Sequence, residues 1–214
     1  DSRELHDIAI ENGVTAITDA GIAPGLSNLI FGKVLLEYDR VDSAECFVGG
    51  LPQTPRQPWL YKTVFSPIDV IEEYTRPARL VENGEIIIKP AMTEIEPIEF
   101  RKVGILDAFN SDGLRSLLDL PIPNMVEKTL RFPGHIQKII AMRNNGLFDS
   151  DKIKKTAKTL TREWKPIAED YDQTILRLKF KGVKNRTNVN NTYDLIDYYD
   201  RVKNITSMAR TTGY

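Results

Sequence analysis

The sequence predicts an α+β fold: a mixed, mostly antiparallel sheet with helices on one face. Three observations predict it. In Val81-Glu82-Asn83-Gly84-Glu85-Ile86 an Asn-Gly pair separates two apolar runs, the preferred two-residue hairpin turn. Short stretches at 43–48, 95–100, 105–109, 127–132 and 176–180 carry strand patterns with few residues between them. The regular βαβα rhythm of a parallel sheet is missing, as is any Gly-x-Gly-x-x-Gly dinucleotide fingerprint.

Taken in order, residues 3–12 predict a helix that Gly13 stops. Thr15-Ala16-Ile17-Thr18 reads as a short buried strand, and Leu26, Leu29, Ile30 and Val34 then repeat at helical spacing to about 38. The strand at 43–48 runs into Gly49-Gly50-Leu51-Pro52 and a proline-rich loop at 53–58. A strand over 60–65 precedes a helix that Pro67 can start. The hairpin and two further strands lead to a short helix at 113–118, stopped by Pro121 and Pro123. After the strand at 127–132, Pro133-Gly134 opens a helix with Ile136, Ile139 and Ile140 on one face. Ile153, Ala157, Leu160 and Trp164 form another helical stripe, and the lysines at 152, 154, 155 and 158 mark its solvated side. Leu176, Leu178 and Phe180 alternate with Arg177 and Lys179, and 189–199 reads as the hairpin partner. Residues 208–213 start a last helix.

Composition narrows the function classes. The 214 residues suit one domain, 41% of them are apolar, and the formal charge is −1. No basic excess points to nucleic acid. No apolar run approaches the roughly 18–20 residues that cross a bilayer, so no membrane partner is expected. Two histidines and one cysteine make no metal-ligand spacing. Cys46 alternates with Ala44 and Val48 as a buried strand thiol; a lone cysteine fits a reducing compartment, here the cytoplasm.

The stretch Asp19-Ala20-Gly21-Ile22-Ala23-Pro24-Gly25-Leu26-Ser27-Asn28 reads as the turn on which the chain is organised. Gly21 and Gly25 allow a tight corner, and Pro24 fits a first helical turn. Ser27 and Asn28 follow where N–H groups are unpaired, a position able to hold an anion or simply to cap the helix.

Three stretches in this order resemble the saccharopine dehydrogenase family: that turn, Tyr61-Lys62-x-x-Phe65-Ser66, and Lys128-Thr129-Leu130-Arg131-Phe132-Pro133-Gly134-His135. Gly49-Gly50-Leu51-Pro52, Val70-Ile71-Glu72-Glu73-Tyr74, Val81-Glu82-Asn83-Gly84, Asp112-Gly113-Leu114-Arg115 and Met208-Ala209-Arg210-Thr211-Thr212-Gly213 are also similar, nearest to its lysine 6-dehydrogenase branch. The resemblance implies a two-part enzyme. A Rossmann domain would bind NAD or NADP, and a second domain would supply the substrate pocket and the homodimer contact. These residues resemble only the second part, so they are read as a piece of a longer protein, inactive alone. Saccharopine and carboxynorspermidine dehydrogenases share that architecture. A non-catalytic binding or dimerisation domain is the alternative.

The implied reaction is oxidative deamination of a lysine-like amino acid. It needs a base for the amine, cations for the substrate carboxylate, and a shaped wall. Lys62 is a candidate base if its pKa is lowered, or else an exposed strand lysine. Arg131 is the candidate carboxylate clamp, by its planar fork. His135 would donate to substrate or relay a proton. Asp19 would pair with the amine or fix the turn. Tyr61, Gly50, Ser27 and Asn28 complete the expected substrate contacts. Pro24, Gly25, Arg210 and Thr211 are the expected cofactor contacts.

Overall fold

The computed structural model describes residues 5–213. An eight-stranded sheet organises them. The elements run α1 (His6–Glu11), α2 (Leu26–Glu37), β1 (Arg40–Pro52), α3 (Pro67–Thr75), β2 (Ala78–Glu82), β3 (Glu85–Lys89), β4 (Glu96–Phe100), β5 (Gly104–Asn110), β6 (Met125–Arg131), α4 (His135–Asn144), α5 (Ile153–Glu163), β7 (Asp172–Lys184), β8 (Thr187–Tyr198) and α6 (Ser207–Gly213). The main path is β3-β2-β6-β1-β7-β8, with β5 joining β6 and β4 joining β5. β1 and β6 run parallel; the other pairings among the described residues are antiparallel. This is the mixed, mostly antiparallel sheet of the expected α+β fold.

Alternation on the strands divides the core. Ala44 and Cys46 face one way, with Leu176, Leu178 and Phe180; Phe31 and Val34 of α2 cover them. Phe47 and Leu130 face the other way and share a second cluster with Ile136 and Ile139 of α4 and Leu160 and Trp164 of α5. So the helices are shared between the two faces rather than gathered on one. Period-two reading finds which strand residues are buried, but not which helix returns to cover them.

Two expected strands are absent. Residues 15–18 carry no ladder, and Ile17 is 82% exposed. Residues 60–65 form no strand, with Leu60 at φ 58° and bends at 64 and 65, yet keep an alternation: Tyr61 and Thr63 are buried while Lys62 and Val64 are partly open. An apolar β-branched run forms a strand only when a neighbour offers a free edge. The helix expected over 3–12 is described from His6 onward, and residues 3 and 4 lie outside the described residues, as does Tyr214. The short helix expected at 113–118 is a 3₁₀ turn over Arg115–Asp119. The Asn83-Gly84 turn has φ of 53° and 83°, the left-handed pair that a two-residue hairpin of this twist requires.

Candidate functional site

β6 sets the centre of the site. Glu127, Thr129 and Arg131 are alternate residues, so they share one face of the strand. Beside them, on the parallel neighbour, stands Val48, opposite Thr129. Ile22, Ala23 and Pro24 close one side, Val64 and Phe65 another, and Met208, Ala209 and Thr212 of α6 a third. The result is an open pocket of about 490 Å³, with Glu73 also on its wall. A second pocket, about 400 Å³, continues it past Glu73, Glu127 and Thr129 toward Asp69, Glu72, Asp112, Arg76 and Arg115. The two make one cleft, apolar at one end and acidic at the other.

α6 is fixed as a wall by its own start. The Ser207 and Met208 N–H groups both donate to the Asp172 carboxylate at 2.8 Å, satisfying two of the unpaired donors of a first helical turn. Gly50 sits where Val64 and Met208 converge; a Cβ there would overlap both.

Arg131 is 1% exposed and held on three sides. Its Nε donates to the Tyr74 hydroxyl (2.9 Å), Nη1 to the Leu130 carbonyl (2.9 Å) and Nη2 to Glu73 (2.6 Å). Its guanidinium lies 4.5 Å over the Tyr61 ring. The Tyr74 oxygen accepts from Arg131, so its hydrogen goes to Nε2 of His135, 2.9 Å away. His135 then carries its own proton on Nδ1 and donates it to the Trp59 carbonyl at 2.7 Å. Burial and the neighbouring Arg131 charge push the His135 pKa down to about 3, so the ring stays neutral. His135 therefore positions Tyr74 and Arg131 rather than reaching the pocket. Three bonds use three of the five N–H groups of Arg131, leaving one on each terminal nitrogen for a ligand.

Two carboxylates that sequence reasoning passed over face this pocket. Glu127 is 5% exposed, and no cation lies within ion-pair distance of it among the described residues. Burial, then Glu73, then Asp112 hold its pKa well above the usual carboxylate range. Glu73, with 27% of its side chain open, is raised by burial and held down by Arg131. Counting back by two from Arg131 would have found Glu127; nothing local singled out Glu73 from Glu72.

Several predicted residues stand elsewhere. Asp19 pairs with Arg115 (3.1 Å) and accepts from the Ser116 hydroxyl (2.6 Å). Ser116 accepts from Asn28, and the Asn28 side-chain oxygen accepts from the Gly25 N–H and from Ser27. In this network the side chains of Asp19, Ser27 and Asn28 fix the turn, and none of the three lines the pocket. Pro24 lies before the helix rather than in its first turn, and it does line the pocket. Gly25 caps the helix at φ 142°, with no room for a Cβ beside Gly21. Lys62 donates to the carbonyls of Glu163 and Lys165 at 3.2 and 3.0 Å, at the end of α5, where a cation meets unpaired carbonyls. The Tyr61 hydroxyl is buried without a hydrogen-bond partner among the described residues, and its ring serves Arg131. Arg210 is bound to Asp197 (2.5 Å) and Asp200 (3.0 Å), and Thr211 bonds back to the Ser207 carbonyl at 2.9 Å. Cys46 is a buried free thiol raised by burial, as expected of a core cysteine.

Residues 21–214 match the family model of the saccharopine dehydrogenase C-terminal domain. The chain belongs to that family. It is 25% identical over 175 residues to an alpha-aminoadipic semialdehyde synthase of Arabidopsis thaliana, covering 73% of this chain and 16% of that protein. The mitochondrial alpha-aminoadipic semialdehyde synthase of Bos taurus is 24% identical over 185 residues, 78% of this chain and 20% of that protein. The chain thus spans a fifth or less of these relatives. The apo saccharopine dehydrogenase (L-Glu forming) of Saccharomyces cerevisiae shares the fold, with a TM-score of 0.77 at 18% identity over 99% of this chain and 66% of that one. In this family member the turn at 21–24 is a pocket wall. No helix among the described residues is long and apolar enough to cross a membrane.

Proposed function

We propose that this domain binds the substrate of a dehydrogenase that breaks a C–N bond in a lysine-derived amino acid. The observation that carries the reading is the meeting of Glu127, Glu73 and Arg131 in one cleft with an apolar wall. An amine must lose its proton before hydride can leave its carbon. A buried carboxyl with a raised pKa is suited to take that proton near neutral pH, and Glu127 is such a group. Glu73, anchored by Arg131, faces the same space and adds negative potential for a cationic substrate. The two spare N–H groups of Arg131 are placed for a substrate carboxylate.

The expected cofactor is NAD or NADP, which when bound accepts the hydride. The residues here fit only part of it. Ala23, Pro24, Val48, Phe65 and Met208 offer an apolar wall for a flat ring, while the pocket has one cation, Arg131, already paired with Glu73. Phosphates find no donor set on this wall, so the dinucleotide would be held by a separate Rossmann domain. Lysine, as in lysine 6-dehydrogenases, and saccharopine are the substrates to compare; the names of the relatives favour saccharopine. A cytoplasmic location belongs to the same proposal and is checked by cell fractionation, since the bovine relative is named mitochondrial.

The test is a substrate screen on the whole protein with lysine, saccharopine and carboxynorspermidine against both cofactors. Turnover of one of them, lost in Glu127→Gln, supports the reading. No reduction of either cofactor with any amine would favour the alternative, a non-catalytic binding domain.

A further inference from the structure

β5 and β6 run antiparallel, with Phe109 opposite Thr129 and Asn110 opposite Lys128. One step on, Ser111 stands opposite Glu127, and the Ser111 N–H donates to the Glu127 carbonyl at 3.2 Å. Residues opposite each other in such a pair send their side chains to one face, and so do alternate residues of one strand. Ser111, Glu127 and Thr129 therefore share a face, and all three line the cleft. Each is almost fully buried, at 2%, 5% and 3% exposure.

Two hydroxyls buried beside a carboxyl have little choice of direction. The Ser111 hydroxyl bonds the Glu127 carboxyl. The Thr129 and Ser111 hydroxyl oxygens lie 2.8 Å apart. An ionised carboxyl only accepts, so the single hydrogen of Ser111 goes to it. The Ser111 oxygen is then left as an acceptor, and Thr129 donates to it. A hydroxyl that accepts one bond donates the next more strongly, so Thr129 strengthens the bond from Ser111.

That bond opposes most of what surrounds the acid. Burial disfavours the ionised form, as do Glu73 from α3 and Asp112 from the turn after β5, while Arg115 favours it. Cys46, opposite Glu127 on β1, is a neutral thiol, and Arg131 on the same strand is paired with Glu73. Asp69, Glu72 and Arg76 stand in the same cleft. A carboxyl held permanently protonated cannot take a proton from an amine. A cation beside it would ionise it but would also repel a substrate ammonium. An uncharged donor avoids that repulsion.

We propose that Ser111, polarised by Thr129, is the positioning residue of Glu127: its hydroxyl fixes the direction of the carboxyl and stabilises the ionised form that takes the amine proton. The proposal rests on the reading of Glu127 as the base. In the step it serves, one N–H bond of the substrate ammonium breaks and one O–H bond forms on Glu127. Ser111 and Thr129 keep their own hydrogens.

The first test needs no substrate. In infrared titration of the whole protein, the carboxyl band of Glu127 is the one that Glu127→Gln removes. Ser111→Ala should move its midpoint up by roughly one to two pH units, the worth of a hydrogen bond to a charged group. Thr129→Val keeps the shape and the Ser111 hydroxyl, so it remains readable if Ser111→Ala does not fold. It should move the midpoint the same way by less, and Thr129→Ser should restore it. Every charged group named above is the same in these variants, so the shift reports the hydroxyls. The second test is the acidic limb of kcat/KM against pH, which reports the free enzyme and should move with the infrared midpoint. A limb that survives in Glu127→Gln would remove the base reading and the proposal with it. A limb that belongs to Glu127, with a midpoint that neither Ser111→Ala nor Thr129→Val raises, would overturn this proposal alone.

Discussion

Gly113 packs directly against the carboxylate of Glu127: a Cβ at that position would overlap both carboxylate oxygens. The buried acid thus has a backbone on one side and the cleft on the other. The Ser111 hydroxyl also hydrogen-bonds the carboxyl, which opens toward the cleft.

Glu127→Gln keeps the shape and removes the base. In the whole enzyme kcat should fall by roughly 10²–10⁴-fold, the usual contribution of a positioned general base. The acidic limb of the pH–rate profile should disappear with it. Steady-state kinetics across pH, with the substrate found by screening, checks both. An unchanged limb would assign the base elsewhere.

Arg131→Ala should disturb stability as well as substrate binding. It strips Glu73 of its partner, and breaking a buried pair from one side costs about 3–5 kcal/mol. Loss of a charge-assisted bond to a substrate carboxylate should also raise the Michaelis constant by roughly ten- to a hundredfold, with little change for the cofactor. Thermal unfolding and kinetics separate the two effects. Arg131→Ala with Glu73→Gln should recover part of the stability and none of the binding.

His135 links stability to pH. Its folded pKa of about 3 lies below the ordinary value of 6.5, so the unfolded chain binds the extra proton first as pH falls. Stability should therefore decline from about pH 6.5 down to about 3, by a few kcal/mol in total, and be unaffected above that window. Glu127 acts in the opposite sense. Its raised pKa favours the folded state at low pH, and that contribution fades as pH rises beyond the ordinary carboxylate range. Calorimetry of His135→Gln should show a lower melting temperature at neutral pH and a flatter slope between pH 6.5 and 3. A slope equal to that of the unaltered protein would remove His135 as its source.

Gly25→Ala tests the turn. At φ 142° with the Gly21 carbonyl in the way, alanine has no unstrained place. The cost should be at least about 1–3 kcal/mol, and the displaced turn should open the wall made by Ile22, Ala23 and Pro24. Urea unfolding measures the first effect and substrate affinity the second. Gly13→Ala, which has open space around it, serves as the control for a positive-φ glycine away from the cleft.

What the sequence determined by itself was mostly local. Asn83-Gly84 set a hairpin and its register, because two adjacent left-handed residues leave few other turns. Gly134 followed by a helix, and Pro67 at the start of another, were legible for the same reason. The three marker stretches also sufficed to place the chain in its family. The tertiary structure decided the rest, because it depends on which surfaces meet. Whether 15–18 and 60–65 pair is a question about free sheet edges, not about their own residues. Lys62 reads as a possible base until α5 brings two carbonyls to its ammonium. Arg210 reads as a free cation until β8 brings Asp197. Glu73 comes from one helix and Glu127 and Arg131 from one strand, with Glu73 and Glu127 lying 54 positions apart in the chain. Only the packing of α3 against the end of β6 puts their charges in one cleft, where burial changes what each carboxyl can do.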